Sequence, residues 1–227
     1  MLVNMALGTI GIYDEDVAVY QFKDSSKRIV FIPMKHLAPE NFYNNVAKHV
    51  DSLKRNNFIF FTEQVNADRA NDTIIRKFRK ITGIPLSQKG YKFQIDSLIN
   101  IDGKVKFKKK LVDQPKYKQL GIDDQININT DVTLKEMVDY YEFKYGKINL
   151  EACDFETEYY KETICDEKKI SNSKYSELIV DFRNLNVLKH IDTNTNTKIA
   201  IIYGENHFEG IEKGLLARGY KKVEPIK

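Results

Sequence analysis

Two stretches of the chain share one local pattern, and each closes on a histidine. RIVFI–PMKH–LAPENFYNNV and KIAIIY–GENH–FEGIEKGL each read as an apolar run, a four-residue turn ending at His36 or His207, and an amphipathic segment. Glu63 follows a third apolar run, FIFFT. Ligands of open α/β sheets bind in the crevice outside the carboxyl ends of the strands, and all three residues fall at such an end. Two imidazoles and one carboxylate can hold a divalent metal with a position open for water, whose pKa the metal lowers. Without metal, the same trio offers a general base beside an oriented histidine. Polar residues are common at strand ends for structural reasons alone, so the weight rests on three of them falling at one edge.

The elements that must position these residues alternate between strand and helix. Val17 to Phe22 and Arg28 to Ile32 are β-branched and aromatic runs joined by the polar KDSSK, the pattern of a hairpin. Pro33 is expected to end the second strand. A helix from Pro39 places Phe42, Val46, Val50 and Leu53 on one stripe, and Asn56 and Asn57 close it. Phe58 to Phe61 then reads as a buried strand, making a βαβ unit with parallel strands. A second helix covers Asn71 to Ile81, stopping at Gly83, and a Thr133–Glu136 capping box opens a third that runs to Gly146. A long helix from Ser173 to Ile191 carries Leu178, Phe182, Leu185 and Leu188 on one face. Lys198 to Tyr203 is a further buried strand, and IEKGLLARGY a final short helix. Between about 85 and 130 the pattern is less regular, and alternation around Asp102-Gly103 marks a hairpin, read as an inserted β-ribbon or lid. The expected fold is a single α/β domain over 1–227, with a central mixed, mostly parallel sheet flanked by helices.

Composition limits the classes of function. The chain has 227 residues, 42% of them hydrophobic and 11% aromatic, too apolar for a disordered chain. Lys+Arg number 36 against 32 Asp+Glu, a net charge of +4, so bulk charge does not point to nucleic acid. The run Lys104 to Lys110 interleaves lysines with Val105 and Phe107, which suits an exposed ribbon guarded against edge pairing, and no nucleic-acid partner is expected. No window approaches the roughly 20 apolar residues of a membrane span, and the N-terminus lacks a signal-peptide pattern, so a cytoplasmic location is expected. Cys153 and Cys165 could form one bridge; in a cytosolic chain two reduced thiols are the plainer reading.

KIAIIYGENHFEGIEKGLLARGYKKV resembles the C-terminal signature of the TraB/GumN family, within the wider Tiki/ChaN-like and erythromycin-esterase-like group. Gly204 and His207 match its Gly-x-x-His, with Gly210 and Gly219 in step. LIVDFRNLNVLKHI is similar to the family helix carrying an arginine, which falls on Arg183, and TDVTLKEM is similar to a central segment around Asp131. His36 and Glu63 fall on the first half-site, and Arg69 answers to a further arginine after that glutamate. Pro33 departs from the pattern, standing where the first Gly-x-x-His has its glycine and removing a backbone donor. The resemblance implies a metal-dependent hydrolase that cleaves an amide or ester bond of a small-molecule or peptide substrate. His36, Glu63 and His207 would then be metal ligands, Glu63 alternatively a base, and Arg183 an oxyanion clamp. By its place in the second turn, Glu205 is either a base beside such a metal or an exposed turn residue. Pro33 favours the alternative, a module that kept the fold and lost the reaction, binding a haem-like ligand or a protein. Arg183, Asn186 and His190 share one helix stripe, while His190 near a helix end and His49 between apolar neighbours suit structural roles.

Overall fold

A strand buried on both faces must be apolar along its length, as Ile199 to Tyr203 are. In the computed structural model, which describes residues 8–9, 11–67, 70–85, 107–161, 163–165 and 170–223, this run lies inside the main sheet. That sheet comprises β1 (Tyr20–Lys23), β2 (Arg28–Met34), β4 (Ile59–Thr62), β6 (Asn127–Asn129), β7 (Lys198–Gly204) and β8 (Lys221–Val223), in the order β6-β4-β7-β2-β1-β8. β7 pairs in parallel with β2 on one side and β4 on the other, and β4 with β6. β1 runs antiparallel to both β2 and β8. The fold is therefore α/β with a mixed, mostly parallel sheet flanked by helices, as expected. A second, two-stranded sheet joins β3 (Leu37–Pro39) to β5 (Leu111–Asp113).

Three local expectations change. β2 and β4 are parallel, but β7 lies between them, so the βαβ unit spans a gap that a later strand fills. β2 also runs through Pro33 to Met34. Beyond Phe31 it has a ladder partner only on the β7 side, the edge-like position where a missing N–H is tolerated. Finally, Pro39 caps α1 (Glu40–Arg55) rather than opening it, and Asn57 takes a left-handed φ of 61° just past the helix end.

Contacts divide the described residues into two units. The first draws on Met1–Glu63, Lys89–Asn129 and Thr193–Lys227, and the second on Gln64–Gln88 and Thr130–Asp192. Where the sequence suggested one domain, contacts outline two units, the second interrupting the first along the chain. In the first unit, Phe42, Val46 and Val50 of α1 pack on Val30, Ile32, Phe60, Ala200 and Ile202 of the sheet. Neighbouring strand positions point to the other face, where Phe208, at the start of α7 (Phe208–Ala217), stacks on Tyr20 and leans on Phe31. The Asp102-Gly103 hairpin lies outside the described residues. The later part of the expected insertion is not all ribbon, since it supplies β6 to the main sheet.

The second unit packs α2 (Asp72–Thr82) and α3 (Leu134–Tyr145) around Phe78, Ile81, Leu134, Met137 and Val138. Both helices start as their sequences indicate: Asn71 accepts from the Ile74 N–H, and Thr133 and Glu136 form a reciprocal capping box. α4 (Ala152–Glu156) and α5 (Asn172–Ser176) follow, and a π turn at Glu177–Asp181 joins α5 to α6 (Phe182–Thr193). Of the residues expected on the inward face, Leu178 and Leu188 are buried and Phe182 packs against the core, but Leu185 is 61% exposed, and Arg183, Asn184 and Val187 are buried beside them.

Glu142 ties α3 to α2. Burial disfavours its charge, but Lys77 at 2.6 Å, the Ile148 N–H and Lys147 outweigh that and hold its carboxyl at about 2, down from the ordinary 4.5. Because the folded value is depressed, its stabilisation is present above about pH 4.5 and is lost as pH falls toward 2. The Glu142→Gln variant should therefore melt at a lower temperature than the parent at pH 7, with the difference shrinking toward pH 2. Thermal melts followed by circular dichroism across that range check it.

Candidate functional site

Strand topology selects one point on the main sheet. Leaving β4, the chain re-enters the sheet at β6 on one side; leaving β7, it re-enters at β8 on the other. The carboxyl ends of β4 and β7 are adjacent, and where chains diverge from neighbouring parallel strands a crevice opens. Glu63 is the first residue after β4, and His207 ends a 3-10 turn, Glu205–His207, directly after β7.

The two side chains meet there. His207 Nε2 lies 3.5 Å from Glu63 Oε1, with the imidazole side chain 4% exposed and the carboxylate 12%. The Gly204 N–H donates to Glu63 Oε2 at 2.5 Å, so each carboxylate oxygen has its own neighbour. The His207 ring stands edge-on to Tyr203, with centroids 5.4 Å apart. Tyr117 holds the main chain of Glu63: its hydroxyl donates to the Glu63 carbonyl at 2.8 Å and accepts from the Glu63 N–H at 3.2 Å. Such a pair can store and pass a proton at a strand end, the geometry of acid/base work.

At Gly204 the absent side chain leaves room for the carboxylate. Its φ of −50° is open to any residue, but an added Cβ would lie 3.2 Å from Glu63 Oε2, so that carboxylate would have to shift by a few tenths of an ångström. The N–H that holds the carboxylate and the missing side chain that admits it belong to the same residue.

Other expected members stand elsewhere. His36 is exposed, and its carbonyl accepts from the Gln114 N–H as the chain turns into β3 and the second sheet. Among the described residues, the one group of three or more His, Cys, Asp or Glu with ligand atoms all within 4.8 Å is Cys153, Asp154 and Cys165. His36, Glu63 and His207 therefore do not form a common metal site in this geometry, because the chain beyond β2 leaves the sheet before His36. Glu205 is exposed at the start of its turn. Arg69 lies outside the described residues.

Arg183 belongs to the second unit and is committed there. Its Nε and NH2 donate to the two oxygens of Asp131 at 2.8 and 2.6 Å, and NH1 donates to the Ile179 carbonyl. The pair is buried and bidentate, so the guanidinium expected to clamp an oxyanion is engaged by Asp131. Asn186, on the same stripe, donates to the Thr130 carbonyl. Asp131 and Arg183, 52 residues apart, were both singled out by the sequence resemblance, and they meet. Burial holds the His49 and His190 imidazoles below their ordinary pKa, with Lys189 adding to the effect at His190.

Tyr117 was not marked by spacing or motif, being one tyrosine of 13 and 54 residues from Glu63. Two surface clefts, of about 330 Å³ beside Tyr43 and Leu120 and about 440 Å³ beside Tyr141 and Ile148, include neither Glu63 nor His207. We place the candidate site at the Glu63–His207 pair, because there a carboxylate and an imidazole converge at a strand edge where the topology diverges. Comparison with protein-family models, curated proteins and solved structures found nothing that matches this chain.

Two expected outcomes follow from these contacts. Tyr117→Phe removes both bonds to the Glu63 main chain and should cost about 1–3 kcal/mol in urea denaturation. Arg183→Met strands the buried Asp131 carboxylate and should cost about 3–5 kcal/mol, most of it recovered when Asp131 is replaced by leucine as well.

Proposed function

We propose that the chain is a hydrolase cleaving an amide or ester bond of a peptide or small-molecule substrate, with Glu63 as general base and His207 as its partner. The observation that supports this most directly is the carboxylate–imidazole contact at the diverging ends of β4 and β7. Glu63, the more exposed member, takes a proton from water, and the water oxygen attacks the substrate carbonyl carbon. The proton then passes to the departing nitrogen or oxygen as the tetrahedral adduct collapses, restoring the carboxylate. His207 steadies the carboxylate from behind, and the Gly204 N–H fixes the oxygen that His207 does not face. No step runs through a metal, since the three expected donors do not converge. The likeness of Gly204-x-x-His207 and its flanks to the TraB/GumN signature supports the same reaction class.

A second reading, a module binding a ligand or protein without turnover, draws on one observation: His36, the partner expected from the other half-site, stands exposed outside the pair. Assay against a panel of chromogenic esters and peptide amides separates the two. Glu63→Gln and His207→Ala should each lower kcat/KM by about 10²–10⁴-fold, the range of general acid–base catalysis, with folded circular dichroism spectra retained. Parent protein no faster than buffer, or Glu63→Gln as fast as the parent, would reject the hydrolase and leave the binding module.

A further inference from the structure

The second unit contains a group with no part in the Glu63–His207 chemistry. Cys153 on α4 and Cys165, twelve residues on, are joined in a disulfide with Cα atoms 5.5 Å apart, where the sequence favoured two reduced thiols. A carboxylate oxygen of Asp154 and both sulfurs lie within 4.8 Å of one another. The Asp154 side chain is fully buried, and its Oδ1 takes no hydrogen bond. Its Oδ2 is held by Lys80 Nζ and the Glu151 N–H, each at 2.9 Å, and the Arg79 guanidinium lies 4.0 Å from Oδ1. A carboxylate with one oxygen fastened and the other lacking a donor has the arrangement of a metal ligand held by its outer contacts.

We propose that Cys153, Cys165 and Asp154 form a redox-gated site for a thiophilic divalent ion such as zinc, open when the disulfide is reduced. A dithiol reductant supplies two electrons and two protons, leaving as its own disulfide while Cys153 and Cys165 become thiols. Ion binding then releases both thiol protons to solvent and forms two metal–sulfur bonds and one metal–oxygen bond. Tetrahedral coordination at about 2.3 Å to sulfur and about 2.0–2.2 Å to oxygen separates ligand atoms by roughly 3.5–4 Å. The three atoms already lie within 4.8 Å of one another, and the two sulfurs must part to take an ion. Water completes the set. Two thiolates and a carboxylate on a dication leave one net negative charge, which Lys80 and Arg79 offset. Both sulfurs are used in either state, so the bridge and the ion exclude one another. A reducing compartment, where thiols persist, would favour the ion.

The test uses the full chain and cobalt(II) as a spectroscopic stand-in. The anaerobically reduced chain should take up one equivalent, with a thiolate-to-cobalt charge-transfer band and the visible bands of a four-coordinate ion, whereas the oxidised chain should show neither. Zinc should displace the cobalt and erase both signals. Cys165→Ser should abolish the charge-transfer band of the pair, and Asp154→Asn should weaken cobalt binding by more than about tenfold, the loss that even outer-sphere changes produce. Reduced parent chain, folded by circular dichroism, that gives no charge-transfer band would overturn the proposal without any variant. So would equal cobalt binding by the oxidised and reduced chains.

Discussion

The backbone of β7 must be hydrogen-bonded on both edges while its side chains are buried on both faces, and the first unit is arranged around that constraint. Ile199, Ala200, Ile201, Ile202 and Tyr203 are all out of solvent. Their N–H and C=O groups have no water to turn to and need partner strands on either side. β2 supplies one over seven paired positions and β4 the other over four. The alternating side chains of β2 then serve two layers, Val30 and Ile32 toward α1 and Phe31 toward Phe208. Because three central strands are parallel, their carboxyl ends share one edge, and whatever chemistry the sheet offers is gathered there.

The site inherits its geometry from the register. Thr62 is paired with Ile202, which brings Glu63, one residue on, beside the last turn of β7. Gly204 completes the fit, giving an N–H to one carboxylate oxygen and leaving the room a Cβ would take. The same register separates His36 from the pair. Met34 is level with Gly204, and within three residues the chain is pairing with β5 in another sheet. Two similar strand–turn–histidine segments thus end differently, one histidine buried and one exposed, because their strands hand on to different structures.

The second unit shows how buried cations stand in for capping residues. Arg76 and Arg79 project from α2 to the carbonyls of Asp154 and Thr157, and Arg79 also to that of Glu158. A helix of five residues has too few internal bonds to stand alone, and its exposed carbonyls need donors. Two guanidiniums supply those donors. The disulfide closes the same loop, so α4 is held by charge-assisted hydrogen bonds on one side and a covalent link on the other.

Much of this was legible in the residues. The apolar runs of β2, β4 and β7, the stripe of α1, the Asn71 and Thr133 caps and the placing of Glu63 and His207 at strand ends follow from local pattern, because burial period and capping chemistry are local properties. β3, β5, β6 and β8 were not legible: each has three residues, too few for a period, and exists through its partner. Nor could spacing show that Tyr117 grips the Glu63 main chain, or that Arg183 turns inward to Asp131 while Leu185 faces outward. Local pattern marks the residues able to do chemistry and the α/β alternation that presents them. Which of them meet follows from strand order and register, which depend on pairings between residues far apart in the chain that no local preference encodes.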